Sequence, residues 1–298
     1  MTKIPATRRK LRVGFVPLTD CAPLVMAHEL GLFRKFGLDV ALSRELGWAT
    51  IRDKVIHGEL EAAHAVAGMP VAATLGLGSV PCDCLTALVL NLHGNAITLS
   101  EELWKGGVRD GKTLRAEITR SRREKILMFG VVHTFSSHNF LLRDWLTAAG
   151  IHPDRDVRIV VVPPPQMVAN LQTGNLDGFC AGEPWNSVAV QSRAGWCVAA
   201  SAELAPGHPE KVLMVRQDFA EQHDEQHLAL VAAQPQRGCG KNSRRHFASR
   251  HNPVGVGVSI RLTQGSSFLA TLGFEPESLW DSASRAHDTG KSKTGNQK

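Results

Sequence analysis

The sequence predicts a two-lobed α/β protein whose lobes are built on parallel sheets and joined by a hinge. Three observations lead there. Short apolar runs alternate with amphipathic stretches over most of the chain, the pattern of strands covered by helices. That alternation comes in two series, one on each side of residue 111. A third, shorter set at 212–216 and 219–233 reads as a return to the first lobe.

The first lobe opens with a strand at 12–16. A helix over 22–36 places Leu24, Ala27 and Leu30 on one face and stops near Gly37. Further strands follow at 38–42, 62–66, 85–90 and 96–99, with a helix at 48–57 that Gly58 ends. The second series begins with a strand at 127–132. Its helix at 137–149 aligns Leu142, Trp145, Leu146 and Ala149 in one stripe, capped by Gly150. A strand at 157–162, a helix at 166–173 closed by Gly174, a strand at 176–180, a helix at 184–191 and a strand at 196–199 complete it. The chain crosses between lobes near Ala96 and near Ala200. Lobe one is thus 11–97, completed by about 200–234, and lobe two is 98–199. From 235 to 298 helical and strand periodicity fails, and this segment reads as an irregular, disordered or frame-shifted tail. Only 254–262 and 268–272 within it have the apolar content of ordered elements.

Composition excludes several classes. The chain has 298 residues, 43% hydrophobic and 21% charged, ordinary for a globular protein. Its uncharged run at 65–82 contains Pro70, Pro81, Gly68, Gly76 and Gly78, so it is no bilayer helix. The net charge of +6 falls in the tail, and the remainder is neutral; the body therefore shows no tendency toward nucleic acid. The basic start runs into a strand-like segment at 11–17 rather than an apolar h-region, which predicts a cytoplasmic protein. A start lying further upstream would instead allow a periplasmic one. Six cysteines, with Cys82-Asp83-Cys84 the closest spacing, form no zinc pattern, so neither metal nor cofactor is expected and the thiols read as small buried hydrophobes.

Three separated motifs carry the functional argument. Gly47-Trp48-Ala49-Thr50 opens the helix at 48–57; Pro163-Pro164-Pro165-Gln166-Met167-Val168-Ala169-Asn170 leads into that at 166–173; Gly182-Glu183-Pro184-Trp185 precedes that at 184–191. In this order, over about 11–234, the chain resembles the nitrate-binding protein family of ABC importers and its cytoplasmic nitrate/nitrite-sensing relatives. The resemblance implies a type II periplasmic-binding-protein-like fold, with ligand held between the lobes, where strand carboxyl ends and helix amino ends meet.

Nitrate is planar, with acceptor oxygens and nothing to donate. Its site calls for donors, one positive charge and no nearby carboxylate. Four residues match or adjoin the positions at which the family holds its ligand. The Trp48 indole N–H is a pure donor, though an interfacial core Trp is the alternative. Asn95 would donate its amide, where the family more often shows Gln, and a turn-forming Asn is an equal reading. His138 stands in the first turn of the helix at 137–149, where ring and amide dipoles both face an anion. Lys211 supplies the full charge. Thr50 and Gln166 are further donor candidates. Bicarbonate-binding relatives place an acid and a metal near Lys211, whereas a lone cation suits nitrate or nitrite. A four-atom ligand at about −1.5 kcal/mol per atom reaches about −6 kcal/mol, so micromolar affinity is expected.

Glu183-Pro184 reads as an amino cap and first turn, with an interlobe latch as the alternative. No Gly-x-Ser-x-Gly or His-Glu-x-x-His occurs, and the cysteine-rich run of the thiamine-pyrimidine synthases that share this fold is absent. The chain is therefore expected to bind rather than catalyse. The resemblance implies a sensor that sequesters an RNA-binding antiterminator response regulator and releases it when the anion closes the cleft. The alternative is the substrate-binding component of a nitrate ABC transporter, docking on membrane domains.

Overall fold

The structure, a computed structural model, describes residues 10–121 and 125–235. Nearly all of the tail, with Cys239 and the stretches at 254–262 and 268–272, lies outside the described residues.

The first sheet comprises β1 (Leu11–Phe15), β2 (Val40–Arg44), β3 (Ala62–Val66), β4 (Cys84–Leu92) and β10 (Pro209–Arg216), in the order β2-β1-β3-β10-β4. The second comprises β5 (Asn95–Ser100), β6 (Met128–Val131), β7 (Arg158–Val161), β8 (Gly178–Gly182) and β9 (Gly195–Ala200), in the order β7-β6-β8-β5-β9. The two orders are the same pattern, and in each sheet the fourth strand along arrives from the other half of the chain. This is the type II binding-protein architecture. The sheets are mixed, however, not parallel as expected: β10 runs antiparallel to β3 and β4, and β5 antiparallel to β8 and β9. A strand entering from the opposite lobe comes from the far side, so it runs against its neighbours. β5 accordingly belongs to the second sheet, and the first crossing occurs at His93-Gly94, ahead of Ala96.

Both residues of that crossing have positive φ, 60° and 98°, and the second crossing lies against it. His93 Nε2 accepts from the Gly207 N–H at 2.6 Å, and the His93 and His208 rings are 5.0 Å apart.

Helices cover the sheets: α1 (Ala22–Glu29), α2 (Leu32–Lys35), α3 (Trp48–Ile56), α4 (Met69–Thr74), α5 (Glu101–Lys105), α6 (Gly111–Ser121), α7 (Ser137–Ala148), α8 (Met167–Gln172), α9 (Trp185–Gln191), α10 (Ser201–Leu204), α11 (Gln217–Gln222) and α12 (Asp224–Ala232). The single helix expected at 22–36 is broken, because Gly31 adopts a left-handed φ of 67°. Leu24 and Ala27 are buried, but Leu30 is 60% exposed. The helix at 219–233 breaks too, at His223. In α7 the stripe holds: Leu142 and Leu146 pack with Ile97, Phe129 and Val131, and Gly150 follows with φ of 77°. α5 and α6 had no sequence counterpart. Cys21 and Cys180 are buried as expected; Cys197 is exposed. No helix is long and apolar enough to cross a membrane among the described residues.

Candidate functional site

Where the lobes meet, strand and helix termini bring polar side chains into a largely buried cluster. Lys211, on β10, is 0% exposed, and its Nζ is 2.8 Å from Asp20 Oδ2. Nζ also donates to Glu210 Oε1. Trp48 begins α3 and is 1% exposed; Lys211 Nζ lies 5.3 Å from its ring centroid, a cation–π distance. His64, on β3, stands 5.2 Å from the Trp48 ring and places Nε2 2.9 Å from Asp20 Oδ1.

The second lobe closes the cluster. Asn95, the first residue of β5, donates Nδ2 to Glu210 Oε2 at 2.5 Å, and Ser137 Oγ donates to the same oxygen. His138 places Nε2 3.4 Å from Glu210 Oε1, and the flanking His208 brings its Nε2 to 3.5 Å from Oε2. The amino end of α7 is capped by Ser136, whose Oγ accepts from the Asn139 N–H. Trp48, Asn95, His138 and Lys211 thus meet in one place. Trp48 Nε1, a donor, and His138 Nδ1 have no hydrogen-bond partner among the described residues, an uncommon condition for buried polar atoms.

Thr50 and Gln166 do not join. Thr50 is half-buried on α3 with no bond into the cluster; Gln166 is exposed, and its backbone bonds stay within its own loop and helix. Glu183 does both things weighed for it. Its carboxylate accepts from the Ser187 N–H, capping α9, while its carbonyl accepts from Thr19 N and Oγ1 across the lobes. Pro184 precedes α9 on a cis peptide rather than sitting within its first turn.

The largest correction concerns charge. The site was expected to hold a lone cation and no carboxylate, yet Lys211 is bracketed by Asp20 and Glu210. Burial alone would raise the Glu210 carboxyl, but Lys211, then His138 and a hydrogen bond from His208, hold it well below the usual range. Asp20 is likewise depressed against its burial by Lys211 and His64. Burial pulls Lys211 down, and Asp20 and Glu210 outweigh it, leaving the ammonium more firmly charged. Sequence reasoning missed Glu210 because neighbouring strand residues normally face opposite ways. A bulge defeats that rule: Pro209 pairs with Leu92 and Lys211 with Asn91, so Glu210 is an extra residue on β10. Asp20 lies in a one-turn 3₁₀ segment, Thr19–Cys21, that has no periodicity to read.

Burial lowers the His138 ring from 6.5 to about 4, with Glu210 opposing. The folded state therefore favours neutral His138, and the unfolded chain takes the proton first. This stability is complete above about pH 6.5 and is lost as pH falls through about 4, on the order of 3 kcal/mol. His64 and His133 are lowered by burial and act in the same sense, whereas His208 is raised by its bond to Glu210 and acts oppositely. Urea unfolding at pH 7.5 and pH 5 is expected to show a clear loss at the lower pH, and His138→Asn a smaller one. An equal loss in the variant would contradict this assignment.

A family model for the NMT1-like family matches residues 5–236. The chain belongs to the NMT1-like family. The chain is 46% identical over 225 residues to the nitrate import ATP-binding protein NrtC of Synechocystis, covering 75% of this chain and 33% of that protein. It is 45% identical over 225 residues to the bicarbonate transport ATP-binding protein CmpC of Synechococcus elongatus, covering 75% and 34%. The crystal structure of the periplasmic nitrate-binding protein NrtA from Synechocystis superposes with a TM-score of 0.72 at 30% identity, covering 76% of this chain and 60% of that one. The chain thus spans about a third of the first two relatives and less than two thirds of the solved one. It has the binding-protein fold of the solved nitrate-binding protein. Among the described residues, no group of three His, Cys, Asp or Glu is placed to hold a metal ion.

Proposed function

We propose that this chain binds a small planar oxyanion, nitrate or nitrite, between its lobes and reports it by a change in lobe closure. The carrying observation is the meeting of Trp48, Asn95, His138 and Lys211, drawn from both sheets, with Trp48 Nε1 and His138 Nδ1 left unpartnered. The resemblance to proteins named for nitrate import and nitrate binding supports the ligand class. Tetrahedral sulfate offers the wrong shape and a second charge beside Asp20 and Glu210. Isothermal titration is expected to show micromolar nitrate or nitrite binding and at least tenfold weaker sulfate binding. Equal sulfate affinity would remove the planar site.

Hydrogencarbonate is the competing ligand. Glu210 brings an acid to the place where bicarbonate-binding relatives are expected to have one, CmpC is as similar as NrtC, and a protonated oxyanion can donate to a carboxylate. The same titration with hydrogencarbonate separates the two.

As a cytoplasmic sensor, the chain holds an antiterminator response regulator in one lobe arrangement and releases it in the other; only differential affinity for the two states permits this. As an importer component, the chain docks on ABC membrane domains instead, and its likeness to a nitrate import protein supports that role. A regulator that co-elutes with the chain and dissociates on adding nitrate supports the sensor; one that never co-elutes leaves the importer reading.

A further inference from the structure

We propose that Glu210 is a tethered occupant of the anion site: its carboxylate stands among the donors of both lobes in place of a small planar anion, and so sets how tightly free anion binds. This rests on reading the crevice as an anion site.

The contacts make the argument. Glu210 Oε2 accepts from Asn95 Nδ2 and Ser137 Oγ; Oε1 accepts from Lys211 Nζ and lies 3.4 Å from His138 Nε2. Three of the four donors assigned to the anion therefore already face one carboxylate, which is 0% exposed. A carboxylate presents two acceptor oxygens on a trigonal centre, the same edge that nitrate, nitrite and formate present. Glu210 comes from the first sheet, and Asn95, Ser137 and His138 come from the second, so its carboxylate ties the lobes as a bound anion would. The bulge matters here, since a regular strand turning Lys211 inward would turn Glu210 away. Free anion must move this side chain aside before it reaches the same donors. An array already shaped around a planar group also disfavours tetrahedral anions.

Two variants test the proposal, and Lys211 keeps Asp20 as partner in both. Glu210→Gln keeps the shape and removes the charge; it is expected to bind nitrate at least tenfold more tightly than the unsubstituted chain. Glu210→Ala leaves a carboxylate-shaped vacancy, and millimolar formate is expected to raise its Tm by several degrees while leaving the unsubstituted chain unmoved. Formate rescue without nitrate binding by any variant would uphold the tethered carboxylate and remove nitrate as ligand. Nitrate binding by the unsubstituted chain, with no formate effect in Glu210→Ala and no gain in Glu210→Gln, would keep the anion site and overturn the occupant. Should Glu210→Ala fail to fold, Glu210→Gln decides alone: a gain upholds the proposal, and unchanged or absent binding overturns it.

Discussion

Lys211→Met is expected to lower the stability of the folded chain by about 3–5 kcal/mol, the cost of leaving buried charge uncompensated. The ammonium is wholly buried and stands between Asp20 and Glu210, both held ionised largely by its charge. A neutral side chain of similar length fills the space but leaves two carboxylates in the crevice floor. At roughly 2–4 °C per kcal/mol for a body of this size, Tm should fall by about 6–20 °C. The double variant Lys211→Met/Glu210→Gln should recover part of that loss, because it retains one uncompensated carboxylate rather than two. Lys211→Glu, which adds a third acid, should not accumulate as folded protein. Thermal unfolding of the set is the measurement, and a Tm for Lys211→Met close to the unsubstituted value would show that another group compensates the acids.

Trp48→Ala is expected to cost about 3–5 kcal/mol of stability, as for a large aromatic removed from a packed site, and to abolish anion binding. Trp48 is 1% exposed and packs with Leu18, Ile51 and Val66, so that loss alone does not separate a core role from a ligand role. Trp48→Phe does. It keeps an aromatic face toward Lys211 and His64 but removes Nε1, the indole donor with no partner among the described residues. Its stability should change far less, while nitrate affinity should fall at least tenfold, about 1.4 kcal/mol. Unaltered affinity in Trp48→Phe would return Trp48 to the core.

The residues that meet at the candidate site were more legible than the charges between them. Strand-and-helix alternation was readable because each sheet buries apolar residues under helices, as β3 shows with all five positions buried. Trp48 and His138 were readable because both stand at helix amino ends, a position fixed by local sequence. The return of the chain at β10 was readable from its apolar run. What failed depends on events without a local signature. The bulge at Glu210 arises from pairing with β4, more than a hundred residues earlier. The antiparallel insertion of β5 and β10 follows from which lobe each strand joins. Gly31 ends α1 where apolar spacing continued. The notion of a donor-only site came from the ligand's chemistry, and the protein answers it with a buried Asp–Lys–Glu group instead.

The most direct test follows the indole N–H resonances during nitrate titration. The chain has six tryptophans, and with Trp48 Nε1 facing the anion, one indole signal should move saturably with nitrate, at the affinity found by calorimetry. That signal should be missing from Trp48→Phe. A titration in which no indole signal moves, or in which the moving signal survives in Trp48→Phe, would contradict an anion held between the lobes at Trp48.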